Sequence, residues 1–188
     1  MAKFIIGSLL CSIYLLNGLA HASFQLETMT VILEASEQRK VFSVKNLGTE
    51  PILLSTKVTD IEGASPFAQQ VIVSPPIARI EPNQSQQINF VLKKGTNLSQ
   101  EMLLKASFQG IGATKNNATR MPIRQDVAML ISPDGMRVSQ SPWDGLTAKQ
   151  RGDQLTLSNT GQQVIRLSPN FTGQPAQVTY NLGQFYLR

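Results

Sequence analysis

The sequence predicts an all-β protein. Three observations carry that prediction. No stretch after residue 22 sustains apolar residues at helical spacing, and several short runs alternate apolar and polar side chains or are rich in β-branched types. Turn signals separate these runs at roughly the 8 to 12 residue interval of a β-sandwich.

The first element is a leader. Lys3 supplies a positive start, residues 4–20 form an apolar run, and Ala20-His21-Ala22 is a small-x-small cleavage site, so the exported chain is expected to begin near Ser23. Asn17, Gly18 and His21 interrupt the run before the roughly 20 apolar residues of a spanning helix, so no stable membrane insertion is expected after cleavage of residues 1–22. Cys11 follows Leu9 and Leu10 instead of a small residue, which argues against lipid attachment.

That cut removes both the single Cys and the single His. What remains has no Ser-His-Asp triad, no Cys nucleophile, no structural zinc site of the usual kind and no haem ligation by imidazole or thiolate, so neither metal nor cofactor is expected. No disulfide forms either. The fold must rest on its core, which 41% apolar residues in a chain of 188 makes feasible. The net charge of +5 is modest and dispersed. The longest basic runs, Arg39-Lys40 and Lys93-Lys94, are not the clustered stripe of a nucleic-acid binder.

Strands are expected at residues 24–33, 39–45, 52–59, 70–73, 86–92, 101–109 and 120–131. Asn46-Leu47-Gly48, Glu62-Gly63, Glu81-Pro82-Asn83-Gln84 and Lys94-Gly95-Thr96-Asn97 supply turns between them. Seven strands within 23–133 match one immunoglobulin-like sandwich. A boundary is expected at Ser132-Pro133-Asp134-Gly135. Residues 134–188 then make a second, smaller β domain with strands at 136–139, 154–158, 163–167 and 177–180 and a hairpin turn at Asn159-Thr160-Gly161. This part is about half the size of an immunoglobulin-like domain, so it is expected to be short or partial, with exposed edges and low stability. Trp143 is expected to pack at the junction or at the start of the second sandwich, with no functional role.

The most distinctive local feature is Ser74-Pro75-Pro76-Ile77-Ala78-Arg79-Ile80-Glu81-Pro82-Asn83-Gln84-Ser85, followed by a strand with Ile88, Phe90 and Leu92 on one face. Two prolines stop a strand, a short apolar stretch crosses the sandwich, a proline-containing turn follows, and an alternating strand resumes. This region resembles the signature of PapD-like periplasmic pilus-assembly chaperones. The resemblance extends to Leu26-Glu27-Thr28 and Val31, to Ala35-Ser36-Glu37 before Val41, Ser43, Val44 and Asn46, and more thinly to Asn159-Thr160-Gly161 with Arg166-Leu167. It implies two immunoglobulin-like domains at an angle, with a subunit held in and along the cleft.

The resemblance also implies a mechanism. In that family the last strand of the first domain completes a pilus subunit by β-strand addition, inserting alternate side chains into the subunit's groove. By position these are Thr119, Met121 and Ile123, while Val127, Met129 and Ile131 on the same face belong to the chain's own core. Residues 110–118, polar and glycine-rich, are read either as an ordinary loop or as a segment that orders on docking. Many family members hold the subunit's terminal carboxylate with an Arg and a Lys, whose positions fall here on Thr30 and Ala128. Neither residue is a cation. Arg124, which matches a basic position of the divergent archaic or alternate branch, is the candidate carboxylate anchor, with a simple ion pair to Asp126 or Glu27 as the other reading.

The implied function is a non-enzymatic periplasmic chaperone that binds, folds and caps pilus subunits and delivers them to an outer-membrane usher. The alternatives are a structural pilus subunit or another exported immunoglobulin-like binding protein. A carboxylate-based hydrolase ranks far behind, because no two acidic residues sit in a context that suggests a paired site.

Overall fold

The computed structural model describes residues 24–112, 121–173, 177–183 and 186–187. The expected leader, Thr119 and most of the 110–118 stretch lie outside them. Residues 110–112 end a strand instead of opening a loop.

The first region is a two-sheet sandwich. One sheet joins β1 (Phe24–Leu26), β3 (Arg39–Asn46), β7 (Ser85–Leu92) and β5 (Val71–Ser74), in the order β1-β3-β7-β5. The other joins β2 (Thr30–Glu34), β9 (Ile123–Ser132), β8 (Met102–Gly112), β4 (Ile52–Asp60) and β6 (Ile77–Ile80), in the order β2-β9-β8-β4-β6. The run expected as one strand over 24–33 is therefore two strands in two sheets. Its side chains show why: Phe24 and Leu26 are buried at even positions, Val31 and Leu33 at odd ones. A period of two cannot carry that slip, so the chain turns at residues 27–29 and changes sheet. The proline-rich stretch makes a similar change. β5 pairs with β7, and after Pro75 and Pro76 the chain enters the other sheet as β6 against β4.

Between the sheets lies an apolar core centred on three rings. Phe42 stacks on Phe108 with centroids 5.3 Å apart, and Phe90 meets both edge-on at 6.3 and 6.2 Å. Asn46 is fully buried beside this core and satisfied: its Nδ2 donates to the carbonyls of Glu50 (2.8 Å) and Ile80 (3.0 Å), and its Oδ1 accepts from the Gly48 amide at 2.8 Å. One side chain thus ties the turn after β3 to the end of β6.

Among the described residues, the second region forms three two-stranded ladders: β10 (Leu146–Arg151) with β11 (Gln154–Asn159), β12 (Ile165–Arg166) with β15 (Tyr186–Leu187), and β13 (Asn170–Gly173) with β14 (Val178–Asn181). Three expectations are corrected here. Residues 136–139 form no strand. Asn159-Thr160-Gly161 is not a hairpin turn, since β11 pairs back to β10; the tight turn is Gly152-Asp153, where Gly152 takes the positive φ of 57° that such turns require. Trp143 is 59% exposed and packs into no core.

Glu101 joins the two regions. It is buried at the start of β8, where Oε1 accepts from the Ser132 hydroxyl at 2.9 Å and Oε2 from the Val164 amide at 2.9 Å. Its own amide donates to the Gln162 carbonyl at 2.8 Å. Glu101→Ala leaves the Ser132 and Val164 donors without that acceptor, at a cost of about 1–3 kcal/mol. The expected readout is faster amide exchange at Val164 and Ile165 with the Phe42–Phe90–Phe108 core unchanged; uniform acceleration across both regions would contradict a local role.

Candidate functional site

The site is built on β9. In a strand, alternate side chains share a face, and here residues 121, 123, 125, 127, 129 and 131 do so. Along that face burial changes steadily: Met129 and Ile131 are fully enclosed and Val127 is 5% exposed, whereas Ile123 is 36% and Met121 84% exposed. The apolar pattern therefore continues past the end of the chain's own core. Met121 and Pro122 precede the strand proper, which begins at Ile123.

The strand's two neighbours differ in reach. β8 runs antiparallel to it from Ile123 to Ile131, while β2 runs parallel and pairs only from Ala128 to Ser132. Among the described residues, no strand pairs with 123–127 on the β2 side. Gln125 reaches β1 by its side chain, where Nε2 donates to the Phe24 carbonyl at 3.2 Å. Among the described residues, a five-residue length of backbone edge is thus open next to the exposed side chains of Met121 and Ile123, and such an edge pairs readily with another extended chain.

The opposite face of β9 carries the charged candidates. Arg124 donates through Nε to Asp126 Oδ1 at 2.8 Å and through a terminal nitrogen to Ser107 Oγ at 3.2 Å. Of the two partners considered for it, Asp126 is the one it meets; Glu27 instead accepts from the Ser43 amide at 2.8 Å. Burial pushes the Asp126 carboxyl up, but hydrogen bonds from Arg124 and Ser107 and the charges of Arg124 and Lys105 outweigh it and hold the group below the ordinary carboxylate range. Because the folded-state value is the lower one, the ionised carboxylate stabilises the sandwich above the ordinary value, and that contribution is lost as pH falls through the depressed one. Both side chains are more than a third exposed, so the contribution is small. A carboxyl titration by NMR is expected to place Asp126 below the surface carboxylates of the chain and to move it up in Arg124→Ala; an unmoved midpoint would show that Arg124 does not set it.

Thr30 and Ala128 are register partners across the β2–β9 pair, so the two positions do lie side by side. Neither offers a charge. The register adds two cations that a strand-by-strand reading passes over, Lys105 on β8 and Lys57 on β4. Alternation within each strand places them on the face of Arg124, but only the pairing of strands far apart in sequence brings them together.

The family model for pili and flagellar-assembly chaperones, PapD N-terminal domain, matches residues 23–137. The chain belongs to this chaperone family. A relative in Escherichia coli (strain K12), the uncharacterized fimbrial chaperone YhcA, is 28% identical over 162 residues, which cover 85% of this chain and 72% of YhcA. Among solved structures, the Salmonella enterica SafA pilin in complex with the SafB chaperone matches with a TM-score of 0.66 at 23% identity, covering 81% of this chaperone and 74% of the matched chain. The Escherichia coli chaperone DraB matches with a TM-score of 0.65 at 19% identity, covering 85% and 80%. At those identities the structural likeness shows the fold, that of two immunoglobulin-like domains. The family itself is one of periplasmic, non-enzymatic assembly chaperones, which sets this chaperone apart from the structural subunits of a pilus.

Proposed function

We propose that this chaperone, exported by removal of residues 1–22, holds a pilus subunit by adding β9 to the subunit's sheet and then hands the subunit to an outer-membrane usher. The observation that carries the reading is the open edge at 123–127 next to exposed Met121 and Ile123. An incoming subunit strand gains backbone hydrogen bonds along that edge. Its groove gains the two side chains, each worth about 1.5–3 kcal/mol when removed from water. Thr119 extends the same series by position. In the proposed division, residues 23–133 form the domain that binds and residues 134–188 a second immunoglobulin-like domain that flanks the cleft. Usher delivery is supported by the family resemblance alone.

The experiment is co-expression of the chaperone with a pilus subunit in the periplasm, followed by size-exclusion chromatography. A soluble one-to-one complex is expected. Entry of this chain into the polymer, or a subunit that stays soluble without it, would overturn the reading.

A further inference from the structure

A cavity where the two regions meet holds a carboxylate with no countercharge. About 340 Å³ of space opens to solvent between the loop after β4, the start of β8 and β15, and Ser65, Gln100, Glu101, Met102, Tyr186 and Leu187 are among its lining residues. Glu101 is 8% exposed, and its two oxygens accept from the Ser132 hydroxyl and the Val164 amide, both neutral donors. No Lys or Arg forms an ion pair with it among the described residues. A buried carboxylate without an opposite charge is costly, because hydrogen bonds from neutral groups replace only part of the lost hydration. A carboxylate also offers about four lone-pair positions, and these two bonds leave the others unfilled.

We infer that this cavity binds a primary ammonium group carried on an alkyl stem, with Glu101 as its counterion. The surroundings select that chemistry. A divalent metal ion wants about six or more oxygen ligands, and no group of three acidic or imidazole side chains able to hold one occurs among the described residues. A guanidinium meets a carboxylate best through two parallel hydrogen bonds, whereas both Glu101 oxygens already accept one bond each. An ammonium is a compact charge with three rotatable donors and needs only one remaining lone pair. Ser65 and Gln100 offer oxygens for its other donors, and Met102 and Leu187 offer apolar surface for the stem. Tyr186 adds an aromatic ring, a group that also attracts cations. Residues 65 and 100–102 come from the first region and 186 and 187 from the second, so an occupant in contact with both stabilises their junction by mass action.

The test is an NMR titration of the isotope-labelled full chain at fixed ionic strength. Two probes carry the ammonium, n-butylamine and N-acetyl-lysine methylamide, and two are their neutral counterparts, 1-butanol and N-acetyl-norleucine methylamide. Saturable shifts at Ser65, Met102, Val164 and Leu187 are expected with one or both ammonium compounds and with neither neutral one. Which of the two binds tells whether the source is a small free amine or a lysine side chain. Amide exchange at Val164 and Ile165 is expected to slow when the probe is bound. Glu101→Gln is expected to weaken the response at least about tenfold, since it removes the charge. Ser65→Trp, at the exposed rim, is expected to abolish the response with the Val164 resonance of the free protein unmoved. This second variant leaves both bonds of Glu101 in place, so it decides the matter if Glu101→Gln loosens the junction by itself. Equal responses to ammonium and neutral probes, shifts that sodium chloride reproduces, or an unchanged response in Ser65→Trp would overturn the proposal.

Discussion

Met121→Asp and Ile123→Asp are each expected to abolish capture of a pilus subunit with the first sandwich still folded. Met121 is almost wholly exposed, and Ile123, 36% exposed, lies outside the enclosed core, so the sandwich keeps its core packing in both variants. The effect falls on the complex. Each variant forfeits about 1.5–3 kcal/mol of apolar burial and places a carboxylate in an apolar groove with no partner, at a further cost of several kcal/mol. Together these exceed about 4 kcal/mol, an affinity loss of at least about a thousandfold. Val138→Asp, at an apolar residue away from β9 with an exposure close to that of Met121, is the control and is expected to bind normally. Capture that survives both aspartates would move the contact elsewhere on the chaperone.

Phe108→Ala is expected to be the most destabilising single truncation in the core, at about 3–5 kcal/mol. Its ring is fully enclosed, stacks on Phe42 and meets Phe90 edge-on, so the cavity left behind has aromatic walls on two sides. The residue is also the register partner of Gln125 on β9. Loss of the ring therefore loosens the strand at the point where its edge is open, and subunit capture should fall together with the urea midpoint. An unfolding free energy within about 1 kcal/mol of the parent would place the core's main contribution elsewhere.

Much of the fold was legible because alternation reports burial directly. Ile88, Phe90 and Leu92 on β7 and Val127, Met129 and Ile131 on β9 are buried as their spacing implies. The division of 24–33 into β1 and β2 was also written in the residues, as the shift from even to odd apolar positions, but a count of β-prone residues passes over a change of phase. The second region was harder to read. Its ladders are short, Ile165 is its one fully buried apolar residue among those described, and β10 with the sequence Leu146-Thr147-Ala148-Lys149-Gln150-Arg151 has little apolar alternation to announce a strand.

At the site, the exposed apolar face of β9 followed from periodicity, since Met121 and Ile123 continue the core pattern. The open edge did not. Where β2 stops pairing is decided by register between strands about a hundred residues apart, and no local pattern encodes it. The same holds for the cationic face, where Lys57, Lys105 and Arg124 become neighbours only through the ladder β4-β8-β9. Arg124 was singled out as a lone candidate anchor, and the structure adds the company it keeps: Asp126 as its present partner and Ser107 beneath it.

Amide hydrogen exchange across residues 123–127, compared between the free chaperone and its complex with a pilus subunit, tests the account most directly. Successive amides in a strand point to alternate neighbours, so those directed at β8 are protected in both states. The account predicts that the amides directed away from β8 exchange freely in the chaperone alone and become protected in the complex. A complex that forms with those amides still exchanging, and with new protection on the edge strands β5 or β6 instead, would contradict it.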